Sequence, residues 1–521
     1  MIQRKTKAIQ EFGDFQTPDD LAIEVASTLY RYGIGATSVV EPTCGRGALL
    51  ISTLKAFPQV EQAIGADINH GYLQMLQKRL VEQEIQTRVV CVQTDFFITN
   101  WQNIIDKLPE PILIVGNPPW VTSSDLSTLQ SSNLPEKSNF QGHTGLNAIT
   151  GKSNFDISEW MLLQNMKWLR SKIGSIAVLC KTTVARKILL AAWKANEQVN
   201  DAKIFRIDAK KYFDASVDAC LFVLRFNQGA PNYSCQVFNS LSSMKPESEI
   251  GYRNHTVIPN LQIYDELSCL LGEDSNYIWR SGIKHDCSKV MELECNNGVI
   301  INGHGFSIDI EDDFLFPLLK SSDIGNDRVK SARKFMLVTQ RYVGEDTSRI
   351  RSIAPKTWNY LQQNCDALKK RGSSIYKNRP AFSIFGVGDY TFTDWKVAIS
   401  GFYKKLQFAV VGPIEKKPVV FDDTVYFLSC ASEEEAHFIA RLLKTDLAAK
   451  FYNSLIFWED KRPITVEVLK KLNLRHLARE YGEEDLYMSL ILRRAETTSS
   501  DDVKQLRLLE KHQKYIIRLD R

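Results

Sequence analysis

Over the first 230 residues, short apolar runs alternate with longer stretches in which apolar residues recur at helical spacing. The runs Ser38–Glu41, Ala63–Asp67, Val89–Thr94, Ile112–Gly116, Gly174–Cys180 and Ala219–Phe226 are rich in Val, Ile and Leu and predict strands. Asp20–Tyr30 and Tyr72–Gln83 predict amphipathic helices. Alternation of this kind implies an α/β fold, its sheet parallel or mostly parallel and covered by helices on both faces. Ligands of such folds sit in the loops at the carboxyl ends of the strands. At about 228–260 the composition turns to Gly, Pro, Ser and Asn, which predicts a linker at 231–260 between domains at 1–230 and 261–521. Beyond it come aromatic-rich β segments (Tyr390–Ile399, Phe402–Val411, Val419–Leu428) and a helical tail from Glu433, an α+β pattern. Ser123–Asn154 is long and polar, the profile of a lid over a site or of a disordered segment.

Length and composition narrow the class. A chain of 521 residues exceeds one ordinary core. Its longest apolar runs, such as Ile112–Val115 and Phe408–Gly412, are strand-sized, which argues against a membrane span. Met1–Lys7 is basic with no apolar stretch after it, so no secretory signal is read. The ten cysteines contain no C-x-x-C pair and read as reduced thiols, not as zinc ligands or disulfides, in a cytoplasmic protein. No metal is expected. Net charge is only +4, yet residues 320–410 hold seventeen Lys or Arg against seven Asp or Glu. Basic charge gathered in one region is the footprint of a nucleic-acid surface or, equally, of a solvated face.

Candidate chemistry lies at the strand ends. The first strand runs into Glu41-Pro42-Thr43-Cys44-Gly45-Arg46-Gly47, where two glycines permit a tight turn and close approach of a ligand to the next helix. Glu41 can answer a cationic amino acid. The second strand ends at Asp67, placed to accept bonds from ribose hydroxyls. The third leads to Asp95-Phe96, an acceptor for an adenine amine and a ring to pack on the base. Taken singly these are equally helix caps and core aromatics; in this order they favour an adenosine ligand. The fourth strand delivers Asn117-Pro118-Pro119-Trp120. Two prolines fix φ, so the Asn117 carboxamide and the Pro118 carbonyl stand in a stiff turn as two acceptors for one amino group. They can draw an amine toward tetrahedral geometry and aim its lone pair at an electrophile, while Trp120 stacks on the ring that carries it.

These residues resemble the γ-class amino-methyltransferases of DNA, the TaqI-like adenine-N6 enzymes of restriction–modification systems. The resemblance covers roughly residues 10–228. It includes Phe12–Pro18 as an N-terminal cofactor motif, Asp156–Leu169 and Gly174–Lys181 as the following helix and strand, and Tyr212–Asp218 as a base-contacting loop. It implies a Rossmann-like class I methyltransferase domain followed by a target-recognition domain, with S-adenosyl-L-methionine as cofactor. By position, Thr17, Glu41, Pro42, Cys44, Gly45 and Gly47 would hold its methionine end, Asp67 its ribose, and Asp95 and Phe96 its adenine. Asn117 would border the cofactor and, with Pro118 and Pro119, bind the target amine. Trp120 and Phe213 would pack the flipped base. The sequence departs from the family in having Trp120 where Tyr or Phe is commoner, and Asp214 after Phe213 where Pro is frequent. Chemistry on a base requires extruding it from the duplex, at about a few kcal/mol.

In the second half, Phe316–Ile324 is similar to the opening of recognition domains of this class. Phe382–Tyr390, flanked by Lys377, Arg379 and Lys396, mixes aromatics, glycines and cations suited to phosphate and base contact; Lys377, Arg379, Tyr390 and Lys396 are the DNA-binding candidates, against the reading of a plain β-hairpin. The expectation is a site-specific adenine-N6 DNA methyltransferase, a monomer on double-stranded DNA in the nucleoid-bearing cytoplasm, partnered by a separately encoded restriction endonuclease and by no membrane. Alternatives are an RNA-base or protein-glutamine methyltransferase, an inactive DNA-binding relic, and a fused nuclease–methyltransferase. The roughly ten residues before the first motif are too few for a nuclease domain, and Glu459-Asp460-Lys461 reads as surface charge.

Overall fold

The computed structural model describes residues 16–121, 156–296 and 298–494 and forms two units, 1–262 and 263–521. The expected lid at Ser123–Asn154 and residues 12–15 of the first motif lie outside the described residues.

The first unit is built on ten strands: β1 (Ser38–Glu41), β2 (Gln62–Asp67), β3 (Arg88–Gln93), β4 (Ile112–Gly116), β5 (Gly174–Lys181), β6 (Val199–Ile207), β7 (Ala219–Phe226), β8 (Ser234–Phe238), β9 (Ser248–Arg253) and β10 (Thr256–Ile258). Their order is β10-β9-β8-β6-β7-β5-β4-β1-β2-β3. β3, β2, β1, β4 and β5 are mutually parallel, and β7 is antiparallel to both β5 and β6. This is the class I methyltransferase arrangement. The chain moves outward from β1 to β3 on one side, then returns to place β4 on the other. Loops leaving β1 and β4 therefore diverge and open a crevice between them.

Strands covered on both faces are mostly apolar, and every residue of β1 and β4 is buried, polar Ser38 and Glu41 at the ends of β1 included. The intervening helices are α1 (Asp19–Arg31), α2 (Ala48–Ala56), α3 (His70–Glu82), α4 (Trp101–Ile105), α5 (Ile157–Leu169), α6 (Thr182–Lys194) and α7 (Ala209–Phe213). α1 buries Leu21, Ala22, Val25, Ala26 and Leu29, one stripe at helical spacing, against α2. Asn69 caps α3 and Asp156 caps α5 through their side-chain oxygens.

The stretch expected as a linker at 231–260 instead adds three strands, so the first unit extends to residue 262. Its Ser and Asn residues flank buried Cys235, Val237 and Phe238, which join the unit's core. β6 carried no clear sequence signal because polar Asn200, Asp201, Lys203 and Arg206 interrupt its apolar residues.

The second unit is α+β, as expected. A four-stranded sheet has the order β11 (Arg280–Ser281), β20 (Val425–Cys430), β17 (Trp395–Ser400), β18 (Ala409–Val411). A six-stranded sheet runs β14 (Ser307–Ile308), β13 (Val299–Ile301), β12 (Glu292–Asn296), β16 (Lys334–Leu337), β15 (Leu315–Leu319), β19 (Val420–Phe421). α8 (Glu433–Leu443), which Ser432 caps, and α9 (Asp446–Leu455) begin the helical tail. Among the described residues no helix is long and apolar enough to cross a membrane, and no cluster of His, Cys, Asp and Glu could hold a metal ion.

Candidate active site

Gly45 and Gly47 both adopt left-handed backbone, at φ +51° and +76°, which side chains resist. Space forbids side chains too: a Cβ on Gly47 would lie 2.2 Å from Leu76 Cδ1, and one on Gly45 2.5 Å from Gln16 Oε1. Gly47 cannot cap α2 with a side chain, and Glu41 takes over, its Oε2 accepting the Leu50 N–H at 3.0 Å. Glu41 is 3% exposed. Burial above all, reinforced by the charge of Asp67 and opposed by the Leu50 N–H, holds its pKa well above the usual carboxylate range. A buried acid beside a glycine turn is suited to an ammonium that desolvates together with it. Cys44 holds the turn from inside: its N–H is bonded to the Ala66 carbonyl at 2.8 Å, and its buried thiol donates to the Gly45 carbonyl at 3.7 Å.

Asp67 links the ends of β1 and β2. One carboxylate oxygen accepts the Gly45 N–H at 2.9 Å and the other the Asn69 N–H at 2.8 Å. Asp95 turns its own loop by accepting the Phe97 N–H at 2.8 Å. Phe96 departs from expectation. Its ring is buried among Trp101, Trp160, Trp168 and Phe97, with centroids 5.4–6.0 Å away, so it anchors the loop instead of presenting a face. The exposed apolar group at this rim is Ile68, directly after Asp67, which the sequence reading passed over.

The turn Asn117–Trp120 leaves β4 beside this loop. Asn117 Nδ2 donates to Thr17 Oγ1 at 3.2 Å, joining two motifs a hundred residues apart. Trp120 is buried, donates its indole N–H to the Leu179 carbonyl at 3.2 Å, and meets Phe213 edge to face with centroids 5.1 Å apart. The structure thus brings Thr17, Asn117, Trp120 and Phe213 together. Three further residues hold this region and were not singled out from sequence. Gln16 Oε1 accepts the Arg46 N–H at 3.2 Å, and Lys181 Nζ bonds both the Trp120 carbonyl (2.9 Å) and Asp156 Oδ2 (2.7 Å). Residues that act through backbone carbonyls leave no sequence signature beyond being polar at a strand end.

In the second unit, Lys377 and Arg379 are exposed and make no ion pair among the described residues. Asn378 between them is left-handed, at φ +58°. The loop rests on a stack in which Arg371 lies 3.6 Å over Tyr376 and Tyr376 meets Phe385 at 5.4 Å. Lys396 corrects the expectation: it is 1% exposed within β17, its ammonium donates to the Thr393 carbonyl, and burial lowers its pKa to about 7. No duplex can reach it. Tyr390 is half-buried between Phe427 and Arg280, whose guanidinium lies 4.6 Å over its ring. It has little face left for a base.

No family model matches the chain. It is 45% identical over 480 residues to the type II methyltransferase M.NspV of a Nostoc strain, spanning 92% of this chain and 99% of that protein. Among solved structures, the type IIL restriction–modification enzyme MmeI in complex with DNA aligns with a TM-score of 0.49 and 11% identity, over 88% of this chain and 63% of that one. The methyltransferase subunit of a type I restriction–modification system from Streptococcus thermophilus aligns with a TM-score of 0.30 and 15% identity, over 44% of this chain and 47% of that one.

Proposed function

The chain belongs to the type II methyltransferases, restriction–modification enzymes of DNA that use S-adenosylmethionine, and on that premise we propose that it methylates N6 of an adenine flipped out of duplex DNA. The observation that carries this reading is the placement of the Asn117 carboxamide, through Thr17, beside the left-handed glycine loop at the point where the strand order reverses.

The residues fit the cofactor. The buried Glu41 acid would answer its ammonium, the left-handed Gly45–Gly47 turn would hold its methionine end, and the Asp67 and Asp95 carboxylates, in the loops after β2 and β3, would hold its ribose and adenine. When bound, it supplies an electrophilic methyl group. Asn117 and the Pro118 carbonyl accept hydrogen bonds from the two N–H groups of the target amine and point its lone pair at that methyl, and the proton that the methylated nitrogen then sheds passes to water. Holding amine and methyl in line supplies the rate without a strong base, and effective molarities of about 10⁵ M or more are available from such positioning. Phe213 and Trp120 wall the base pocket. Lys377 and Arg379 contact backbone phosphates from their stacked pedestal. The enzyme works as a monomer in the cytoplasm, protecting its sites from a separately encoded endonuclease.

Single-molecule methylation sequencing of DNA from cells that express the chain, beside cells that express Asn117→Ala, tests the reading. A consensus motif carrying N6-methyladenine, absent in the variant, is expected. Unmodified DNA in both, or cytosine methylation, would refute it.

A further inference from the structure

We propose that Lys181, at the end of β5, is the positioning residue that aims the amine-binding turn. The inference rests on the reading that Asn117–Trp120 binds the target amine. β4 fixes the upstream end of the turn, since Gly116 pairs with Val178 in the parallel ladder with β5. Inside the turn, Pro118 and Pro119 have no freedom in φ. What remains is the downstream end at Trp120, beyond the end of β4 at Gly116.

Two bonds to β5 close that end. The Trp120 indole N–H reaches the Leu179 carbonyl at 3.2 Å, and the Lys181 ammonium reaches the Trp120 carbonyl at 2.9 Å. One bond holds the side chain and the other the backbone, so the residue can neither rotate nor slide. The ammonium is itself held, because Asp156 Oδ2 lies 2.7 Å away and Asp156 is buried. The other Asp156 oxygen accepts the Ser158 N–H at 3.1 Å and caps α5. A backbone bond from the Ile157 N–H to the Val121 carbonyl, at 2.9 Å, runs alongside. A cation whose place is set by a capped helix thus sets the carbonyl that ends the turn. β5 is in turn fixed by β7, where Lys181 lies opposite Ala219.

Displacement of a reacting group by about 1 Å can cost about a hundredfold in rate without weakening ground-state binding. Lys181→Met is therefore expected to lower kcat by about ten- to a hundredfold, while the affinity for S-adenosylmethionine and the KM for unmethylated plasmid DNA stay within about threefold. Lys181→Arg, which keeps donors for both partners, is expected to recover most of the loss. Because Lys181→Met strands a buried carboxylate, the double variant Lys181→Met/Asp156→Leu, which removes both charges, is measured beside it.

The readout is initial-rate methyl transfer to plasmid DNA by the full chain, with thermal melting of each variant. Asn117→Ala serves as the reference for a broken amine site. Selective loss of kcat in Lys181→Met and in the folded double variant, with recovery in Lys181→Arg, supports the assignment. With Asn117→Ala inactive, a Lys181→Met enzyme with kcat within threefold of wild type overturns it. So does a loss of kcat that the double variant abolishes, since the fault would then be the stranded charge and not the freed carbonyl. An Asn117→Ala enzyme that still methylates DNA would remove the catalytic turn itself, and this inference with it.

Discussion

Glu41→Gln isolates one charge. Gln keeps a carbonyl oxygen where Glu41 Oε2 accepts the Leu50 N–H, so the start of α2 survives and only the acid is lost. In the free enzyme, burial and the Asp67 charge hold the Glu41 pKa well above the usual carboxylate range. An ammonium docked against it favours the carboxylate and lowers that pKa. Binding must then expel a proton, and affinity rises with pH between the low pKa of the complex and the raised pKa of the free enzyme. Within that window the slope approaches tenfold per pH unit, about 1.4 kcal/mol. Above about pH 8 the ligand's own α-amino group deprotonates and affinity falls again. Calorimetry with S-adenosylhomocysteine, which carries the same ammonium and cannot turn over, in buffers of different ionisation enthalpy counts the protons released. Wild type is expected to release up to one per site, and Glu41→Gln none. The variant should also bind more weakly by about 1.5–3 kcal/mol, the range for a hydrogen bond to a charged group. Folding moves the other way. A carboxyl whose pKa is raised in the folded state stabilises that state below the unfolded pKa of about 4.3, and the contribution is lost as pH rises through the folded value. Cofactor-free Glu41→Gln should therefore melt no lower than wild type at pH 7. Equal pH dependence in wild type and variant, with no proton release in either, would refute the ammonium assignment.

Trp120→Phe removes the indole donor to Leu179 and is expected to cost about 1 kcal/mol of stability, read by denaturant melts, with a larger proportional loss in kcat than in cofactor affinity. Lys396→Met should leave DNA affinity unchanged. Because burial lowers the Lys396 pKa to about 7, the unfolded chain binds its proton more readily from there to about pH 10.5. The stability of wild type relative to Lys396→Met should thus rise over that window by up to about 5 kcal/mol, measurable by melts at pH 7 and 10. Lys377→Ala/Arg379→Ala should weaken binding to any duplex alike and reduce the slope of log affinity against log salt by about 2, seen by fluorescence anisotropy across a salt titration. Exposed Cys269 and Cys295 should be alkylated by iodoacetamide in the native enzyme while Cys44 is not, because burial raises its pKa far above neutral and hides it, as mass spectrometry of peptides can show.

What could be read in the sequence was whatever each residue declares locally. The apolar run of β4 and the Val39-Val40 centre of β1 required burial on both faces, and the alternation of strands and helices required a sheet with loops at one edge, where the motif residues do lie. Partnerships across long separations were not legible. Cys235, Val237 and Phe238 looked like fragments in a polar linker because β6, which pairs β8 in parallel, lies some thirty residues upstream and is itself broken by charges. Lys396 looked like a contact because a cation among aromatics is ambiguous until the ladder of β17 with β18 and β20 encloses it. Phe96 follows Asp95 at a strand end, yet three tryptophans from α4 and α5 enclose it.

The two departures from the family pattern become explicable once backbone and partners are known. Pro fixes φ near −65°, but Asp214 stands at φ +51° as the left-handed end of α7, a conformation open to Asp and closed to Pro. The chain leaves α7 by a turn that Pro would forbid, and Phe213 still reaches Trp120. At the other position, Phe has no donor and Tyr carries its hydroxyl at the far end of the ring. An indole places an N–H on its flank, where the Leu179 carbonyl stands while the ring packs on Phe213. Trp120 is therefore committed to β5 as well as to Phe213, and the stiffness that two prolines begin in the turn is completed by that bond and by Lys181.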